Sequence, residues 1–202
     1  MSKIKFVALE GIDGCGKSTV ITRVKDVLEQ NKKKVLIFRQ PGSTKAGEAI
    51  REVNLNNEPC DKTTMMLFVA ARIDFIEKEI MPLVNDGKDE EVIVIIDRWA
   101  LSTLVYNVSQ ANETDARFYM NILKPLEPNP DITIYLYIDA KTSKERLKGK
   151  DQNKYDSLDD TIINKRISTY DTYHLANNQS VKVDASQPLE VVVRQCADII
   201  SM

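Results

Sequence analysis

Apolar residues in this chain fall into short, dense runs that alternate with longer stripes at helical spacing. Ile4–Leu9 and Val92–Ile96 predict strands, and the unbroken β-branched run of the second predicts burial on both faces. Val35–Phe38 and Ser180–Val183 predict shorter strands, while Ile132, Ile134, Leu136 and Ile138 alternate with Thr133, Tyr135 and Tyr137 as another. Helical stripes fill the intervals. Val20, Ile21, Val24, Val27 and Leu28 lie on one face of Lys17–Asn31, and Ala46–Val53 predicts a short helix. Met65, Leu67, Phe68, Ile73, Ile76 and Ile80 mark Asp61–Val84 as a long helix that Pro82 helps to end. Ser157–Ala176 and Pro188–Ile200 close the chain, the last with Pro at its start. Pro125, Pro128 and Pro130 predict an extended connection over Lys124–Asp131.

Strands alternating with amphipathic helices predict an α/β fold, a parallel sheet covered on both faces. Ligands of such sheets sit at the carboxyl ends of the strands. Gly11, Gln40, Asp97 and Asp139 each follow a predicted strand and should share one rim.

The 202 residues fit one domain, 1–202, and 43% hydrophobic with 29% charged residues suits a packed core. A net charge of −2 gives no electrostatic case for a nucleic-acid or membrane partner, although a phosphate pocket needs only a few Lys and Arg. Cys15, Cys60 and Cys196 form neither a disulfide framework nor a metal pattern, which fits a reducing compartment. Ile4–Leu9 is too short for a signal peptide, and no run reaches bilayer length. A soluble, cytoplasmic protein is expected.

The rim begins with Gly11-Ile12-Asp13-Gly14-Cys15-Gly16-Lys17-Ser18, followed by Thr19, the full phosphate-loop pattern between a strand and a helix. Its glycines let backbone N–H groups turn around phosphate oxygens, Lys17 reaches the β- and γ-phosphates, and Ser18 ligates Mg²⁺. A Mg²⁺–nucleoside triphosphate is therefore expected at Gly11–Thr19, with Lys17 free of packing. Asp97 stands where a carboxylate helps to hold the metal, or where an Asp caps the next helix. Arg98 beside it suits bidentate binding of phosphate oxygens. Asn153-Lys154-Tyr155-Asp156 spells a guanine-reading motif, but the stretch before it is polar. The third strand also ends in Asp97-Arg98-Trp99 rather than a DxxG switch, which argues against a GTPase.

The phosphate loop, Arg39-Gln40-Pro41-Gly42-Ser43-Thr44, Leu67-Phe68-Val69-Ala70-Ala71-Arg72, Asp97-Arg98-Trp99 and Val183-Asp184-Ala185-Ser186-Gln187-Pro188-Leu189-Glu190 resemble, in order, the signatures of thymidylate kinases. The resemblance covers nearly the whole chain. It implies a P-loop fold with a five-stranded parallel sheet and a mobile lid, the reaction ATP + dTMP → ADP + dTDP, and a homodimer joined through faces such as that of Asp61–Val84. It implies that Asp13 sits between the two nucleotides and that Arg39, Arg72 and Arg98 hold the acceptor phosphate or base edge. Phe68 would stack on thymine, although an aromatic on an apolar helical face also suits a core. Ser102 and Thr103 would contact the base, and Tyr106 would close the floor under the deoxyribose. The lid would be Lys148–Asp156, its Lys148, Lys150 and Lys154 standing where arginines are usual, with Lys148 on ATP and Lys154 catalytic. Gln40 replaces a common Glu and Trp99 a common Tyr, Phe or His. His174 reads as a surface residue.

Other readings stay open. A kinase of dUMP, dCMP or dGMP has the same parts. A deoxynucleoside kinase would need a base after the second strand, which Gln40 cannot be, and a P-loop switch would need DxxG.

Overall fold

The structure, a computed structural model, describes residues 3–57, 59–86, 91–109, 111–148 and 159–202. Strand β1 (Lys3–Glu10) leads through the glycine loop into α1 (Lys17–Gln30), then β2 (Lys34–Arg39), α2 (Lys45–Asn56) and α3 (Asp61–Phe75). A π-helical turn at Ile76–Ile80 joins α3 to α4 (Met81–Asn85), and β3 (Glu91–Asp97) follows. Then come α5 (Ala100–Thr103), a π turn at Leu104–Val108, α6 (Glu113–Phe118), a π turn at Tyr119–Leu123 and a 3₁₀ turn at Lys124–Leu126. Strand β4 (Ile132–Tyr137), α7 (Ala140–Leu147), α8 (Asp160–Ala176), β5 (Ser180–Asp184) and α9 (Leu189–Ser201) complete the order.

The five strands are all parallel in the order β2-β3-β1-β4-β5. Alternation along β3 explains the burial on both faces. Val92, Val94 and Ile96 pack with Phe6, Phe75, Ile80 and Trp99 on one side. Ile93 and Ile95 join Val24 and Leu28 of α1 and Val193 and Cys196 of α9 on the other. Each such aliphatic side chain stabilises the fold by about 1.5–3 kcal/mol when fully buried. In the register, Leu9 and Arg39 both stand opposite Asp97, so the ends of β1, β2 and β3 meet at one level.

Thr133 and Tyr135 alternate with apolar residues and are as buried as their neighbours, because β4 lies between β1 and β5 with both faces covered. Two expectations are corrected. Pro82 does not end its helix: it lies in the first turn of α4, after the wide turn at Ile76–Ile80, where a missing N–H is tolerated. Lys124–Leu126 is a 3₁₀ turn rather than extended chain. Periodicity also predicts no helix between Arg98 and Leu123, because pieces of four to six residues broken by π turns never complete a 3.6-residue stripe.

Candidate active site

The phosphate loop has the backbone its glycines permit. Gly11 has φ 150°, and a Cβ there would lie 2.5 Å from Leu136 O, so only glycine lets the loop leave β1 this closely. Gly16 begins α1 in the left-handed region at φ 93°. Lys17 is 7% exposed and its Nζ donates to Gly11 O at 2.9 Å and Ile12 O at 3.2 Å, with Cys15 Sγ at 3.5 Å. The expectation that Lys17 is free of packing is thus corrected: the loop's own carbonyls hold the ammonium until a stronger anionic partner arrives. Ser18 Oγ donates to Asp97 Oδ2 at 3.2 Å, while Asp97 Oδ1 is buried without a hydrogen-bond partner among the described residues.

This loop opens into a cavity of about 650 Å³ that also meets Arg39, Gln40, Arg51, Asp97, Arg98, Arg146 and Gln187. A second cavity, about 160 Å³, is lined by Phe68, Arg72, Ser102, Thr103, Tyr106 and Asn107 among others. Asp13, Gln40, Arg51 and Arg98 line both.

At that junction Asp13 pairs with Arg98 and accepts from Tyr106 Oη at 2.7 Å, and Arg166 Nη1 approaches the same carboxylate at 3.9 Å. Burial alone would raise the Asp13 pKa, but Arg98, then Lys17, Tyr106 and Arg166, hold it below the usual value. Arg98 has φ 69°, a conformation few side chains adopt, and also donates to Ser102 Oγ at 3.1 Å. Beneath it Glu10, wholly buried, accepts from Trp99 N at 2.8 Å, Ser102 N at 3.1 Å and Ser102 Oγ at 2.5 Å. Burial raises the Glu10 pKa in spite of these donors.

In the smaller cavity Arg72 is bound to Glu127 and donates to Thr103 Oγ1 at 2.7 Å and Trp99 O at 3.2 Å. Arg72 Nε and Asn107 Oδ1 remain buried without hydrogen-bond partners among the described residues. Phe68, 8% exposed, forms part of the wall.

The structure therefore brings Asp13, Gly14, Cys15, Gly16, Lys17, Ser18, Thr19, Arg39, Asp97 and Arg98 to the larger cavity and Phe68, Arg72, Ser102, Thr103 and Tyr106 to the smaller. Gly11 and Ile12 shape the loop through their carbonyls. Arg39 lies at the rim in an ion pair with Glu48 at 2.8 Å, its side chain half exposed. Asp139 lines neither cavity and caps α7 by accepting from Thr142 N at 2.7 Å. Lys148 is exposed at the end of α7 and lines neither cavity; Arg146 does, donating to Ala185 O at 3.1 Å. Lys150 and Lys154, with the rest of the expected lid after Lys148, lie outside the described residues.

Sequence reasoning missed Arg51, Asn107, Glu127, Arg146 and Arg166. One signal existed for Arg51: Gly47, Arg51 and Asn54 share one helical face, and both flanking positions are buried.

A phosphate loop on the central strand of a parallel sheet, facing a second cavity that shares its inner residues, defines a P-loop kinase of the α/β class. The sequence profile described as thymidylate kinase matches residues 9–196. The chain is 33% identical over 207 residues to a protein of Legionella pneumophila (strain Corby) named thymidylate kinase, covering 97% of this chain and 93% of the relative. Proteins of the same name from Latilactobacillus sakei subsp. sakei (strain 23K) and Fervidobacterium nodosum are 32% and 29% identical, covering 98% and 96% of this chain and 94% and 97% of their own. The chain belongs to the thymidylate kinase family.

Proposed function

We propose that this chain, a single kinase domain, transfers the γ-phosphate of ATP to dTMP, forming dTDP. The observation that carries this reading is the pair of cavities joined at Asp13, Gln40, Arg51 and Arg98. Phosphoryl transfer asks for two anions in line with their charge neutralised, and these residues lie where two phosphate chains would meet. Backbone N–H groups of the loop and Lys17 hold the donor, Arg51 and Arg98 receive the acceptor phosphate, and Asp13 lies between. An acceptor phosphate is already ionised near neutral pH, so no general base is required.

Base choice follows from two unsatisfied groups. Arg72 Nε is a donor and Asn107 Oδ1 an acceptor, both buried at the smaller cavity. An imide edge, with an N–H between two carbonyls, satisfies both through adjacent atoms of the ring edge; a cytosine edge offers its donor only from the exocyclic amino group, where thymine has a carbonyl, and so must meet the two groups in a different register. Phe68 supplies a stacking face, and Tyr106 closes the floor under the sugar.

The oxygens of Ser18 and Asp97 suit Mg²⁺, since Asp97 Oδ1 is buried with no hydrogen bond among the described residues to lose. When bound, Mg²⁺ neutralises charge on the β- and γ-phosphate oxygens. Met66 and Ile73 of α3, with Met120, Ile122 and Leu126, stand exposed on neighbouring elements and support a homodimer. No helix among the described residues is long and apolar enough to cross a membrane.

A coupled assay of ADP release, run with dTMP, dUMP, dCMP, dGMP and thymidine, tests the reading. The expected order is dTMP first, with dUMP weaker by about 10-fold for want of the methyl contact. Thymidine turning over faster than dTMP would overturn it.

A further inference from the structure

Helix α8 is fastened to the site by polar atoms as well as by the apolar side chains Ile163, Ile167 and Tyr173 that pack on the core. Its buried residues are Ile163, Arg166 and Tyr170, spaced three and four apart on one face. Tyr170 Oη donates to Glu10 Oε2 at 3.2 Å and to Gly11 O at 3.3 Å, which holds the helix against the base of the phosphate loop. One turn earlier, the Arg166 guanidinium lies 4.2 Å from the centroid of the Tyr106 ring, and its Nη1 lies 3.9 Å from Asp13 Oδ2. That same carboxylate oxygen accepts the Tyr106 hydroxyl at 2.7 Å. Tyr106 is thus held at its hydroxyl by Asp13 and at its ring by a cation.

Arg98 also lies over this ring, at 4.9 Å, but its position is shared with other duties. It lines both cavities and pairs with Asp13, so an acceptor phosphate competes for it. Arg166 lines neither cavity and is 9% exposed, so substrate does not draw it away.

We propose that Arg166 is a specificity-determining positioning residue: stacked on Tyr106 and drawn to Asp13, it holds the ring where a 2′-hydroxyl has no room, and so selects deoxyribose over ribose. The inference rests on the reading of Tyr106 as the floor under the sugar. A ring that can yield admits the extra oxygen, whereas a fixed ring forces a clash or an unpaired hydroxyl. Arg166 acts through Tyr106 and touches no substrate.

The test is the ratio of kcat/KM for dTMP to that for its ribose counterpart, 5-methyluridine 5′-monophosphate. It is measured in the wild type, Arg166→Ala, Arg166→Lys and Tyr106→Ala. A cation over an aromatic face is expected to contribute about fivefold to the ratio, so Arg166→Ala should lower it by about that factor. Arg166→Lys should keep part of it, because an ammonium can also sit over the ring but lacks the planar stack. The Michaelis constant for ATP should stay within about twofold. A role in fold stability alone would lower both kcat/KM values together and leave the ratio unchanged, which would overturn the proposal. An unchanged ratio in Arg166→Ala with a collapsed ratio in Tyr106→Ala removes Arg166 only. An unchanged ratio in both removes the sugar-floor reading and the proposal with it. If Arg166→Ala does not fold, Arg166→Lys and Arg166→Met carry the same comparison. If the wild type prefers another base, the deoxyribose and ribose monophosphates of that base replace the pair.

Discussion

The guanidinium of Arg72 and the carboxylate of Glu127 form an ion pair sealed from water, the two side chains 3% and 0% exposed. Tyr119 Oη donates to the second Glu127 oxygen at 2.8 Å, so the carboxylate is satisfied on both sides. The pair fixes Arg72 on the wall of the smaller cavity.

Removing one partner of such a pair strands the other charge. Glu127→Ala should therefore destabilise the protein by about 3–5 kcal/mol and raise the Michaelis constant for dTMP more than that for ATP. Urea unfolding and steady-state kinetics check both. A loss below about 1 kcal/mol would mean that Trp99 O and Thr103 alone satisfy Arg72.

Arg51 lines both cavities, and its anionic neighbours, Glu48 and Asp97, do not offset its burial. Burial, then the neighbouring Arg39, depress its pKa, so the unliganded protein holds it at a cost. Arg51→Ala should raise the Michaelis constant for dTMP by about 10- to 100-fold, the worth of a charge-assisted hydrogen bond, while leaving thermal stability equal or higher. Kinetics and a melting curve on one preparation settle the point; a lowered melting temperature would make Arg51 a structural residue.

Of these features, the phosphate loop and the five strands were legible from the chain because each is written in adjacent residues. Asp97 and Arg98 were legible because a strand end carries them to the rim. Glu127, Asn107 and Arg166 were not. Their meaning lies in contacts across the chain, such as Arg166 with Asp13, and no local pattern marks them. Arg72 lies on the wall of the smaller cavity, but its buried partner was invisible, since an acidic residue among prolines reads as loop.

Lys17→Ala should lower turnover by at least about 10³-fold, because the charge that neutralises the transferring phosphoryl group is lost. Fold should survive with a loss near 1 kcal/mol, reflecting its bonds to Gly11 O and Ile12 O. Wild-type turnover in a folded Lys17→Ala protein would remove the kinase reading.

Asp13 and Glu10 should show opposite pH signatures. The Asp13 pKa is depressed in the fold, so its contribution is complete above the unfolded value of about 3.8 and is lost as pH falls through the folded one. The stability gap between wild type and Asp13→Asn should shrink on acidification below about pH 4. The Glu10 pKa is raised, so wild type should lose ground to Glu10→Gln as pH rises from the unfolded value of about 4.5 through the folded one. Urea titrations across about pH 3 to 7 report both differences, and parallel curves would contradict the assigned environments.

The π turn at Leu104–Val108 has a consequence for how this family's relatives could diverge. Such a turn holds one residue more than α-helical geometry uses, and each α-helical residue rotates the chain by about 100°. Deleting a single residue there would close the turn into ordinary helix and swing Ser102 and Thr103 around relative to Asn107. Side chains that now line one cavity would then face different neighbours with their identities unchanged. The aim of the smaller cavity's wall is therefore encoded in chain length as well as residue type, and a one-codon deletion is a route to altered substrate range beside point substitution.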